Sequence, residues 1–175
     1  MLAHDAKTLG LEVAHTDRDH IVGTWRNVLV CIWRRETHVV AIRNMKPVLD
    51  RLKSANPGGV AMLTVLEQHA SLPTTEARDE MPKFFKDVAK GMACSALVFE
   101  GVGFRSAAIR ALTTTFNLLA AQPFPHRVFA SVTDAEAMLL ERLPPSAKGQ
   151  KLSPGDLGVV VNALRERFDA ATKGP

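Results

Sequence analysis

Glu67, His69 and Ser71 stand at alternate positions of one short segment and carry the parts of an acyl-transfer site: an orienting carboxylate, a base and a nucleophile. Glu100, further along the chain, could take the orienting role instead. Such a set works only where nucleophile and base meet at hydrogen-bond distance, which spacing does not supply. The strained Gly-x-Ser-x-Gly elbow of hydrolases is missing. The expected arrangement is therefore a rim of solvated polar residues, without a catalytic residue.

Two further groups have suggestive chemistry. His15-Thr16-Asp17-Arg18-Asp19-His20 contains metal-ligating types, but no further Cys/His set stands nearby to complete a tetrahedral site. His and Asp at such spacing solvate a turn between strands, so neither metal nor cofactor is expected. Gly101-Val102-Gly103 resembles part of a dinucleotide fingerprint, but Ser106 occupies the third glycine position. Tight helix–strand packing accounts for the two glycines, with positive φ expected at one of them. Arg105, just after them, is expected to meet an anion, a partner carboxylate or Glu100.

These residues need a scaffold. Ala96 to Phe99 reads as a buried strand, followed by the glycine turn and a helix from Arg105 to Ala121. In an α/β fold, sites are built at such carboxyl ends of strands. Upstream, Ile21 to Trp25 and Val28 to Trp33 read as a hairpin about Arg26-Asn27, although that pair is not the best turn former. A helix starting near Thr37 places Val39, Ile42, Met45, Leu49 and Leu52 on one face and contains Pro47. Val60 to Leu66 is an apolar run, as expected of a strand covered on both faces. A helix from Thr74 to Met92, a strand from Arg127 to Ser131 and a helix from Thr133 to Arg142 follow; Thr133 and Glu136 form an approximate capping box. Strands alternating with helices after an opening hairpin predict a mixed sheet with parallel central strands.

Pro144 to Lys151 reads as a linker. A last helix opens at Ser153-Pro154, with Leu157, Val160, Val161, Leu164 and Phe168 at helical spacing. Its apolar face must pack on the same chain, on a second copy or on a partner.

The chain of 175 residues is 46% hydrophobic and 23% charged, an ordinary balance for one folded domain with an appendage. The net charge of +4 is scattered, with no basic stripe interleaved by aromatics, so no nucleic-acid partner is expected. Cys31 and Cys94 lie in apolar runs and are expected to be buried and unpaired, as in a reducing compartment. No run approaches the length of a membrane span, and the amino terminus lacks a signal-peptide pattern. A cytoplasmic protein is the expectation.

Five stretches carry a family resemblance: Gly23-Thr24-Trp25-Arg26-Asn27, Gly58-Gly59-Val60-Ala61-Met62-Leu63-Thr64-Val65, Glu76-Ala77-Arg78, Glu100-Gly101-Val102-Gly103-Phe104-Arg105 and Phe124-Pro125-His126-Arg127-Val128-Phe129. From about His15 to Leu143 the chain resembles the STAS or SpoIIAA-like superfamily, whose prototype is the anti-sigma-factor antagonist. It looks most like bacterial STAS/SEC14-type proteins of myxobacterial genomes. In the antagonists, an Asp-Ser pair opens a helix after a central strand, and its serine is phosphorylated to switch partners. The matching loop here is His69-Ala70-Ser71-Leu72-Pro73-Thr74-Thr75, which has no Asp-Ser pair. Ser71, Thr74 and Thr75 are the candidate phosphosites, though cap and loop duties explain the same hydroxyls.

The resemblance implies a SpoIIAA-like α/β fold: a mixed sheet with an opening hairpin, central parallel strands and packed helices. The expected organisation is a STAS-like domain over 1–143, a linker over 144–152 and an amphipathic helix over 153–170. The expected function is a non-catalytic cytoplasmic module that signals by binding a protein partner. The expected surface comprises Glu67, His69, Ser71, Thr74, Glu100, Gly101, Gly103 and Arg105, with a homodimer through the last helix as a further expectation. The alternative is a binder of an apolar or anionic small ligand, by analogy with SEC14 relatives; it requires a cavity among the helices.

Overall fold

The computed structural model describes residues 10–71, 73–100 and 123–172. A six-stranded mixed sheet runs in the order β1-β2-β3-β4-β5-β6. Strands β1 (Glu12–Thr16), β2 (His20–Trp25) and β3 (Val28–Trp33) are antiparallel, and β4 (Val60–Leu66), β5 (Met92–Phe99) and β6 (His126–Phe129) continue parallel to β3. Helices α1 (Val39–Ala55) and α2 (Thr75–Val88) connect β3 to β4 and β4 to β5. Right-handed crossovers between strands added in sequence order place both helices on one face. The other face is covered by α3 (Val132–Arg142) and α4 (Asp156–Thr172).

Two apolar layers result. Val22, Leu29, Cys31, Trp33 and Met62 face α1 and α2, while Ile21, Val28, Val30, Ile32 and Leu63 face α3 and α4. All six β3 residues are buried because that strand lies under helices on both sides, which explains its unbroken apolar run. Cys31 and Cys94 are free, buried and in opposite layers. Burial pushes both thiols up, Cys94 to about 11.

The hairpin forms about Arg26-Asn27 with Arg26 at φ +53, a costly conformation for a residue with a Cβ. Its side chain supplies the compensation. Arg26 Nη1 donates to Lys151 O (2.7 Å) and Asp156 Oδ2 (3.0 Å), and its guanidinium lies 4.0 Å over the Trp25 ring. Asn27, buried beside it, donates to Gly59 O (3.1 Å) and Pro144 O (2.9 Å). Asn56 Oδ1 accepts from Ala147 N (2.9 Å). The 144–147 stretch is thus tied to the sheet's lower end by two buried asparagines.

Beyond it, α4 lies on its own chain's sheet and contacts β1, β2 and β3. Leu157, Val160, Val161, Leu164 and Phe168 are buried there. Gly23 permits the approach, since a Cβ at that position would sit 3.0 Å from Leu164 Cδ1 and 3.1 Å from Glu12 O.

Several boundaries differ from the sequence reading. The second helix stops at Val88, not Met92, because Gly91 turns the chain at φ +86 and Met92 already belongs to β5. Strand β5 accordingly begins four residues before Ala96. The last strand ends at Phe129, since Ser131 is needed as the α3 cap; its Oγ accepts from Asp134 N (3.1 Å). Glu136 is therefore not part of a capping box with Thr133. The expected helix 105–121, and the expected positive φ at Gly101 or Gly103, lie outside the described residues.

His126 opens β6 with its ring 5.1 Å from that of Phe85, and its Nδ1 is buried without a hydrogen-bond partner. Burial pushes its pKa from 6.5 down to about 4. The unfolded chain binds a proton near pH 6.5 that the folded chain refuses until about pH 4. Stability is therefore full above the upper value and falls by roughly 3 kcal/mol as the pH drops through this window. Urea midpoints measured across that range should fall less in His126→Leu than in the wild type; parallel curves would refute this account.

Candidate functional site

The carboxyl ends of β3, β4 and β5 lie at one edge of the sheet, together with the β1–β2 turn, because His20 pairs with Trp33 in the antiparallel register. The starts of α1 and α2 reach the same edge. The sheet divides this rim into two halves of different chemistry.

On the α4 side the rim is an ion-pair network. Arg34, following β3, donates to Glu67 Oε2 (2.7 Å) and to Asp169 Oδ1 (2.6 Å). Arg165 of α4 donates to Glu67 Oε1 (3.1 Å) and also to Glu100. The Arg34 guanidinium also lies 4.1 Å over the Phe168 ring. The Glu67 hydrogen bond is the main reason that the Arg34 pKa is raised. For Arg165 burial is the largest influence and works against the charge, but Glu100 and Glu67 outweigh it and the net shift is upward. Both strand-end carboxylates thus bind arginines, and Glu100 finds its partner on α4. Arg105, the partner proposed from sequence, lies outside the described residues, as do Gly101 and Gly103.

The 67–75 loop leaves the network for the other half. His69 and Ser71 are exposed, and the Ser71 N–H donates to Arg35 O (2.9 Å). Thr74 caps α2, its Oγ1 accepting from Ala77 N (3.2 Å), and Thr75 Oγ1 accepts from Arg78 (3.1 Å). Among the described residues no hydrogen bond links Glu67, His69 and Ser71. At the start of α3, the Ser131 hydroxyl donates to Asp134 Oδ2 (2.7 Å).

The α1/α2 half of the rim holds a cleft of about 460 Å³, lined by His15, Asp17, His20, His38, Thr74 and Glu76 among others. Asp17 Oδ1 accepts from the backbone N–H groups of Asp19 (2.7 Å) and His20 (2.9 Å), which closes the turn. Burial opposes the Asp17 charge, but these bonds and the two neighbouring histidines pull its pKa below the usual carboxylate range. The His20 ring is 1% exposed and stacks on Trp33 with centroids 4.6 Å apart. Burial lowers its pKa, against the opposing pull of Asp17. The turn expected to be solvated therefore holds a buried histidine: antiparallel pairing sets His20 opposite Trp33, and the Trp33 ring covers it, a contact that local spacing does not encode.

No family model matches the chain, and no curated protein matches it. Among the described residues no helix is long and apolar enough to cross a membrane. One solved structure with a similar fold is an uncharacterised protein of the DUF3478 family from Shewanella loihica PV-4, described as having a SpoIIAA-like fold. The two share 14% identity and superimpose with a TM-score of 0.46, over 74% of this chain and 93% of that one. The sheet itself is the mixed α/β sheet with parallel central strands that was expected; SpoIIAA-like is the description given to that structure.

Proposed function

We propose that the chain is a non-catalytic, cytoplasmic module that recognises a protein partner through the 67–75 loop and the start of α2. The observation that carries this reading is the engagement of Glu67 and Glu100 by Arg34 and Arg165. With both carboxylates committed to ion pairs, His69 and Ser71 are exposed groups of the loop whose side chains hold no hydrogen bond to the rim among the described residues. Thr74 and Thr75 hold the helix start, so Ser71 is the favoured phosphosite of the three. A phosphate there would sit near the partial positive charge of the α2 N-terminus. Two free thiols buried in opposite layers support the reducing compartment.

The test is quantitative affinity capture with the whole chain, comparing wild type with His69→Ala/Ser71→Glu. Exposed positions of this kind should leave the unfolding midpoint within about 0.5 kcal/mol. A specific interactor held by the wild type should be depleted several-fold by the double variant. Equal retention at equal stability would remove the loop from the reading, and turnover of an ester substrate that Ser71→Ala abolishes would replace it with a hydrolase.

A further inference from the structure

We propose that His15, Asp17 and His20 bind one divalent transition-metal ion of the Zn2+ type, with an open coordination position facing the cleft before α1 and α2. Its three ligands lie outside the partner-binding loop, although Thr74 also lines the cleft, and the proposal does not depend on that reading.

Three observations converge on it. The first is the register of the β1–β2 hairpin. Val13 pairs with Gly23, but His15 pairs with Val22, so a bulge lies between them. A regular ladder would set His15 opposite Ile21, whose side chain faces α3 and α4. The extra residue turns His15 to the Val22 face instead, which His20 also occupies two positions earlier on β2. The second is His20 itself: both of its ring nitrogens are buried and lack a hydrogen-bond partner, although Nδ1 lies 3.0 Å from Asp17 Oδ1. That oxygen already accepts two backbone N–H groups. A nearly fully buried imidazole with neither nitrogen satisfied is a costly arrangement, and a metal bond to one nitrogen relieves it. The third is donor spacing. Asp17 Oδ2 lies 3.7 Å from His15 Nε2, and one ligand atom from each of the three residues falls within 4.8 Å of the others. An ion about 2.0–2.2 Å from each donor needs donors roughly 3–3.5 Å apart, so small side-chain rotations suffice.

The donor set selects the ion class. Two imidazoles and one carboxylate suit Zn2+ and its first-row neighbours better than Mg2+ or Ca2+, which prefer all-oxygen shells. Neither cysteine belongs to this cluster of donor atoms, so no thiolate enters the set. Three protein ligands leave a position for water or for a carboxylate of a bound molecule, on the side lined by His38, Asn44 and Thr74.

The experiment is calorimetric titration of the chelator-stripped, tag-free chain with Zn2+, alongside His15→Ala and Asp17→Asn. Asparagine retains the oxygen that accepts the Asp19 and His20 N–H groups, so the turn is kept while the anionic donor is lost. One ion should bind per chain, and each variant should weaken binding by at least about tenfold. In the wild-type chain, Zn2+ should shift the ring nitrogen-15 resonances of both His15 and His20, a readout that needs no substitution. Absence of binding, unaltered affinity in either variant, or Zn2+ that leaves both rings unshifted would overturn the proposal.

Discussion

Ending the chain at Pro145 is expected to abolish cooperative unfolding and solubility, because it uncovers the sheet face over β1, β2 and β3. That face carries Ile21, Trp25, Val28, Val30 and Ile32, all at most 2% exposed in the intact chain. Each large apolar side chain on α4 contributes about 1.5–3 kcal/mol by its burial, and five of them together approach the whole stability of an ordinary domain. The truncation also removes Arg165 and Asp169, leaving Glu67 and Glu100 without their α4 partners. Phe168→Ala is the graded form of the same experiment. The ring is fully buried beneath the Arg34 guanidinium, so its removal should cost about 3–5 kcal/mol and lower the thermal midpoint by roughly 10 °C. A truncated chain that stays soluble and unfolds cooperatively within about 1 kcal/mol of the intact one would show that α4 is an accessory, not part of the core.

Glu136→Ala should destabilise by about 2–3 kcal/mol, although Glu136 lies on a helix and touches no proposed binding surface. Its carboxylate is 5% exposed and accepts from Gly155 N (2.8 Å) and Leu157 N (2.8 Å), two free donors at the start of α4. One side chain of α3 thereby caps another helix and fixes its approach to the sheet. Removing it leaves two N–H groups unpaired, one of them buried, and frees the end of α4 that Arg26 and Asp156 also secure. Glu136→Gln should recover only part of the loss, since its amide has one accepting oxygen where the carboxylate has two. Chemical denaturation of the three proteins gives the order wild type, then Gln, then Ala. An alanine variant within about 0.5 kcal/mol of wild type would mean that solvent satisfies those donors instead.

The sheet and its helices were legible in the sequence wherever burial leaves a local pattern. Val28 to Trp33 and Val60 to Leu66 are apolar throughout because helices cover them on both faces, and the α1 and α4 stripes repeat at helical spacing because one face of each is buried. Ends were less legible, as at Val88, where the end of α2 depends on a single glycine conformation at Gly91. The site was legible in its membership but not in its pairings. Glu67 and Glu100 could be placed at strand ends, yet their joint arginine comes from α4, 98 and 65 residues away, and nothing in their own segments encodes it. The same holds for Glu136, which local spacing assigns to its own helix and packing assigns to another. His15, Asp17 and His20 are neighbours in sequence, but two further conditions decide their chemistry: a bulge that selects the face, and a Trp33 ring that buries His20. Periodicity records whether a residue is buried, whereas partner and ligand geometry arise only when strands and helices distant in the chain are stacked together.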